Sequence, residues 1–151
     1  MISEYWHHMV QLLADAGAPS YAADDLTADT MAHLDDMAPP KGGILLATSE
    51  DGALLGCGFI RKIRPDAAEF KRMYVRPKAR GLGIGRRLFE LRVKEAQRMG
   101  CKTLYADTVK GNTPMLSMYE KFGFTYIPRY PENANSPELE PYLVYLRRDI
   151  T

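Results

Sequence analysis

Two hydrophobic periods alternate along this chain. From about Ser3, a plausible N-cap, apolar residues recur at helical spacing through Tyr5, Met9, Leu12 and Leu13 to a stop near Gly17 and Pro19. A second helix is expected from Asp24 or Asp25 to a point before Pro39 and Pro40. Apolar runs follow at Ile44 to Thr48 and Leu54 to Ile63, and the Glu50-Asp51-Gly52 turn between them makes the pair an antiparallel hairpin. Arg64-Pro65-Asp66 leads into a third strand, Ala67 to Val75, which Pro77 ends. From Ile84 the spacing is helical again, with Ile84, Leu88 and Leu91 on one row and Phe89, Val93 and Ala96 on the next, closing at Gly100. A strand at Thr103 to Thr108, a helix from Asn112 to Lys121 closed by Gly123, and strands at Phe124 to Ile127 and Tyr142 to Leu146 complete the pattern. Pro128 to Pro141, rich in Pro and Asn, reads as a loop that shapes a pocket wall.

These elements make one domain over residues 1–151. A hydrophobic share of 46% and a charged share of 26% are ordinary for a soluble globular chain, and no apolar run approaches the roughly 18 residues that span a bilayer, so no membrane partner is expected. The N-terminus lacks a basic segment followed by an apolar run, and Cys57 and Cys101 sit in apolar stretches with no chelating neighbour. A cytoplasmic location, buried thiols and no metal are therefore expected. The net charge of +1 is unevenly spread. Residues 1–40 hold no Lys or Arg but contain Glu4, Asp15, Asp24, Asp25, Asp29, Asp35 and Asp36, whereas Arg61 to Arg98 is dominated by Lys and Arg. A basic middle suits a polyanionic ligand and an acidic lobe a cationic one, and both also suit a solvated face.

Arg80-Gly81-Leu82-Gly83-Ile84-Gly85 lies between a strand and a helix, where glycines let backbone N–H groups turn toward a ligand at the helix's positive end. The same glycines would serve close helix packing equally well. A dinucleotide fingerprint would need glycine where Arg86 stands, and the Gly-Lys-Ser/Thr of a Walker A loop is absent.

What remains resembles the acyl-CoA signature of the GNAT superfamily: Arg or Gln, two variable residues, Gly, a variable residue, then Gly or Ala, met here by Arg80, Gly83 and Gly85. Glu69 to Pro77 looks like that family's central strand, and Asn112 to Phe124 like its later helix and the start of the strand after it, so the resemblance covers roughly Leu54 to Ile127. It implies an α+β fold in three layers, α/β/α, with a mixed, mostly antiparallel central sheet and helices on both faces. It implies an acetyl-CoA-dependent N-acetyltransferase that passes the acetyl group directly to a primary amine within a ternary complex. By the same resemblance, the exposed backbone of Met73, Tyr74 and Val75 pairs with the pantetheine arm, and the arm also meets Asn112. The turn of Gly81, Leu82, Gly83, Ile84, Gly85 and Arg86, together with Arg80, holds the pyrophosphate. Arg76, Lys78 and Arg87 add positive charge around the cradle.

Acetyl transfer needs an acceptor amine without its extra proton, stabilisation of a tetrahedral oxyanion, and a donor for the departing thiolate. The resemblance gives the last role to Tyr119 and the second to a backbone N–H near Met73 to Val75. Spacing alone fits Tyr119 to an aromatic stripe with Met115 and Phe122. A phenol near pKa ~10 giving its proton to a thiolate near ~8.5 is uphill by roughly 2 kcal/mol, so a strong hydrogen bond is the economical form of that help. Glu69 matches the strand glutamate that acts as base in some relatives, and it equally suits a salt-bridging strand residue. His7 and His8 are adjacent on a helix and point apart, against a shared metal site. Tyr130, in the loop, is a further candidate for touching the acceptor.

Many members of the family begin with a strand, whereas this chain enters a helix within a few residues of Met1, so the first strand is expected to be missing or a stub. A partner chain could cover the edge so exposed, and a symmetric homodimer is the default. The acidic first forty residues fall where the family places acceptor selectivity, which suggests a cationic small amine or an amino-acid-like acceptor. The leading expectation is acetylation of a small molecule. Alternatives are acetylation of a protein terminus or lysine, and a non-catalytic acyl-CoA-binding sensor. No nucleic-acid partner is expected, because the basic residues cluster on the cofactor face without a reading motif.

Overall fold

The computed structural model describes residues 1–151. Two helices come first, α1 (Ile2–Asp15) and α2 (Ala23–Ala32), with a 3-10 turn at Leu34–Met37. The order then runs β1 (Gly42–Thr48), β2 (Leu54–Arg64), β3 (Ala67–Val75), α3 (Ile84–Arg98), β4 (Thr103–Val109), α4 (Thr113–Lys121), β5 (Thr125–Ile127) and β6 (Leu143–Asp149). The six strands form one sheet in the order β1-β2-β3-β4-β6-β5, parallel only between β3 and β4. Within residues 1–151 the first element is α1, and β1 and β5 are the two edges of the sheet. Three local expectations shift. Met1 rather than Ser3 is the N-cap of α1, so Ser3 lies in the first turn, its carbonyl 2.8 Å from His7 Nδ1. Asn112 is the N-cap of α4 but makes no side-chain cap bond, and its Nδ2 donates to Thr108 Oγ1 at 2.9 Å. The segment before β6 is not all loop, since Pro137–Tyr142 makes a 3-10 turn.

Helices α3 and α4 pack on one face of the sheet. Their apolar rows meet Ile60, Phe70, Leu104 and Leu146, and Phe89 at the centre lies within 6 Å of the rings of Phe70, Tyr119, Phe122 and Phe124. Each such fully buried side chain contributes roughly 1.5–3 kcal/mol by leaving water. On the opposite face, α1 sets Tyr5, Trp6 and Met9 against Cys57, Phe59 and Tyr74. A third cluster joins Leu13 to Val109, Tyr130, Leu143 and Tyr145 at the β4–β6 end. The result is the three-layer arrangement the resemblance implied.

One core residue contradicts the hydrophobic pattern. Arg92 stands on α3 between Leu88 and Ala96, four residues from each, and is completely buried. Its guanidinium lies 3.9 Å over the Phe70 ring and donates to Phe59 O at 3.3 Å. Gly58 makes this possible, since a Cβ there would come within 2.9 Å of Arg92 Nε.

Two irregularities open the sheet where function is expected. Between β2 and β3 the register passes from Cys57 opposite Tyr74 to Phe59 opposite Lys71, so Arg72 and Met73 together face Gly58. This bulge holds Arg72 at φ 51°, left-handed backbone in a residue that seldom adopts it. Strands β3 and β4 pair only over Ala67 to Glu69 and Thr103 to Tyr105, after which they diverge. The rest of β4 stays with β6, and a cleft opens between the two halves of the sheet.

Candidate active site

A groove of about 500 Å³ follows the end of β3, the glycine turn and the start of α3. The turn is shaped by backbone: Gly81 and Gly83 sit at φ 80° and 81°, which side chains resist. The first α3 bond across the turn runs from Arg87 N–H to Gly83 O at 3.0 Å, leaving the amides of Ile84, Gly85 and Arg86 free at the helix's positive end. Arg80 lines the groove over the Tyr74 ring, with Nε donating to Val75 O at 2.9 Å. Free amides, left-handed glycines and an arginine fit a polyphosphate.

Met73, Tyr74, Val75, Arg80, Gly81, Gly83, Ile84, Gly85, Arg86 and Asn112 all line this groove. Leu82 does not; its side chain points to solvent and is 72% exposed. Two of the supporting cations are already engaged, Arg76 by Glu4 at 2.8 Å and Arg86 by Glu90 at 2.9 Å. His8 also lines the groove, a place no spacing argument gave it, and burial followed by the charge of Arg80 lowers its pKa.

A second cavity, of about 290 Å³, occupies the β3–β4 cleft. It shares Met9, Met73, Asn112 and Met115 with the groove, so the two join beside the bulge. Its walls are Tyr5, Trp6 and Leu13 of α1, Tyr21, Leu26 and Asp29 around α2, Lys71 and Arg72 of β3, Asp107 of β4, and the loop segment Ala134 to Ser136 with Leu139. Tyr119 reaches it from α4. The expected pocket-wall loop is therefore a wall, and Asn133 pins it by donating to Asp107 Oδ2 at 2.8 Å.

Tyr119 is 3% exposed, and burial pushes its phenol well above the usual range despite the opposing charge of Arg92. It stays protonated and is equipped to donate a hydrogen bond. Glu69 lines neither space. It is fully buried, with Lys71 Nζ at 2.5 Å and Arg61 at 3.5 Å from its two oxygens, in ion-pair contact without good hydrogen-bond angles. Lys71 bridges onward to Asp107 Oδ2 at 3.1 Å. Burial raises the Asp107 carboxyl, but Lys71 and the Asn133 hydrogen bond outweigh that and leave it below its usual value; burial lowers Lys71. Tyr130 also lines neither space, packing against Tyr105 and Tyr145. Of the seven acids in the first forty residues only Asp29 reaches the cavity.

Sequence reasoning missed Lys71, Arg72, Asp107 and Tyr5, whereas Trp6, expected in core or pocket wall, lines the cavity. A signal existed for three of them, since charges inside strands expected to be buried must pair or face a cavity. Cys57 and Cys101 are buried free thiols, and burial pushes Cys57 up to about 11. No group of acidic, His or Cys side chains is arranged to hold a metal.

Residues 6–124 match the model of the acetyltransferase (GNAT) family. An uncharacterised N-acetyltransferase of Schizosaccharomyces pombe is 32% identical over 114 residues, 75% of this chain and 67% of that protein. A GNAT-family acetyltransferase of Staphylococcus aureus has the same fold, with a TM-score of 0.75 at 16% identity over 99% of this chain and 93% of that one. A GNAT family acetyltransferase of Elizabethkingia anophelis, solved with acetyl-CoA bound, gives 0.60 at 24% identity over 77% and 81%. The chain belongs to the GNAT acetyltransferase family, and so to a class of acetyl-CoA-dependent N-acetyltransferases.

Proposed function

We propose that this chain transfers the acetyl group of acetyl-CoA to the amine of a small molecule within a ternary complex. The observation that carries this reading is the junction of the two spaces: a groove built for a phosphorylated arm runs into a walled cavity at Met73, Asn112 and Met115, with Tyr119 beside it. Acetyl-CoA supplies the activated acyl group. The chain's residues do the rest. Amides of Ile84 to Arg86 and the Arg80 side chain hold phosphate, and the free edge of β3 past Glu69 offers main-chain donors to the arm and to the acyl oxygen. Tyr119 holds its proton at the phenolic oxygen for the leaving sulfur. Glu69, neutralised by Lys71 and Arg61, acts through Lys71 on the cavity wall, and the acceptor's proton leaves by way of water.

The cavity's enclosure by α2 and the loop favours a small molecule over a peptide, which would need an open trough. Two free thiols suit a reducing compartment such as the cytoplasm. The test is calorimetric titration with acetyl-CoA, followed by thiol release with a panel of amines. Micromolar binding and amine-dependent release support the reading. Binding without release for any amine leaves a non-catalytic acyl-CoA sensor, and no binding removes both.

A further inference from the structure

The cavity holds one cation that no acidic side chain pairs. Its charged wall residues are Asp29, Lys71, Arg72 and Asp107. Lys71 and Asp107 pair with each other, and with Glu69 and Arg61 behind them the group sums to zero. Asp29 stands at the exposed rim with His33 at 3.3 Å. Arg72 has no acidic partner. Its guanidinium is 4.7 Å from the Trp6 ring and 5.9 Å from that of Tyr5, and its Nε is buried without a hydrogen-bond acceptor. A planar cation clamped against aromatic faces in a half-buried site, with donors unspent, is suited to a carboxylate.

The backbone reinforces the point. Arg72 is the residue with positive φ in the β3 bulge, where glycine or asparagine would sit at lower cost. The bulge thus places a guanidinium next to Met73, where the cavity meets the groove.

We propose that Arg72 receives a carboxylate carried by the acceptor, so that the acetylated amine belongs to an amino acid with an apolar or aromatic side chain rather than to a simple cationic amine. The inference rests on reading this cavity as the acceptor site. The carboxylate lies on Arg72, the side chain lies along Tyr5, Trp6, Tyr21 and Leu139, and the amine faces the junction. A plain alkylammonium would meet Arg72 with like charge. The cavity's size admits an amino acid and little more.

The test uses binding, which needs no turnover. With CoA saturating, calorimetry compares N-acetylphenylalanine with N-acetylphenethylamine, which lacks only the carboxylate. The expected result is a preference of at least about tenfold for the carboxylate in the unmodified protein, abolished in Arg72→Gln and partly kept in Arg72→Lys. A ratio near one, a preference that survives Arg72→Gln, or no binding of either compound overturns the proposal. If Arg72→Gln fails to fold for want of its Trp6 contact, the ratio in the unmodified protein and its change in Arg72→Lys decide. A protein that shows the preference yet transfers nothing keeps this inference and loses the enzymatic reading. One that acetylates both parent amines equally does the reverse.

Discussion

The groove and the cavity adjoin, yet they are made differently. The groove comes mainly from one stretch of chain, Met73 to Arg86, and its working parts are backbone: left-handed glycines and amides that α3 leaves free. The cavity draws on α1, α2, β3, β4, α4 and the loop before β6, and its working parts are side chains held by one another. The donor is acetyl-CoA, whose phosphates a local backbone device can serve. In the proposed reading the acceptor is selected by side chains brought from far apart, most of which the groove does not share.

That contrast can be tested from both sides. The largest effect is expected from Gly83→Asp. No atom lies within 4 Å of the added Cβ, but a side chain at φ 81° is strained, so the turn should lose some stability while the anion in the cradle weakens acetyl-CoA binding by about 100-fold or more. Calorimetry and a melting curve separate the two, and intact affinity would mean that the phosphates lie elsewhere. Tyr119→Phe comes next, with kcat falling about 100-fold while KM for acetyl-CoA stays near its original value. An unchanged kcat would make Tyr119 a core aromatic and nothing more.

The cavity wall should fail through stability. Lys71→Met strands buried Glu69 and Asp107 without their shared cation, at a cost of about 3 kcal/mol or more, on the order of 10 °C in melting temperature. The pH dependence follows from Asp107, whose folded pKa lies below its ordinary value of 3.8. Its contribution is complete above that value and is lost as pH falls through the lower folded one. Asp107→Asn should therefore be less stable than the parent at neutral pH, with the gap closing in acid; a pH-independent gap would assign the loss to packing. The smallest effect is expected at Arg92, which burial pushes down to about 10 and which has one hydrogen bond and no acidic partner. Arg92→Met should change stability by about 1 kcal/mol or less in urea unfolding. A larger loss, or a fall in kcat, would tie this charge to Tyr119 and extend the cavity's network into the core.

Most of the groove was legible in advance, because glycines at fixed offsets, a helix start and a strand end are local features. Leu82 stood among its neighbours in the motif, but only the geometry of the turn shows its side chain in solvent. The cavity was legible only as a general region. The acidic first forty residues pointed there, but Glu4 spends its charge on Arg76 and Asp36 lies 3.5 Å from Lys41, at the surface. Glu69 stood out by position, and the tertiary structure surrounds it with Lys71 and Arg61.

Hydrophobic period and turn residues determined the element order on their own, because each depends on residues a few positions apart, and the family resemblance carried by the glycine motif implied the three layers and the place where a phosphorylated donor would lie. The bulge at Arg72, the divergence of β3 from β4, and the pairing of Lys71 with Asp107, 36 positions away, were decided by the tertiary structure. Register and burial are properties of neighbouring strands, and a charge's role depends on which partners the fold brings within reach.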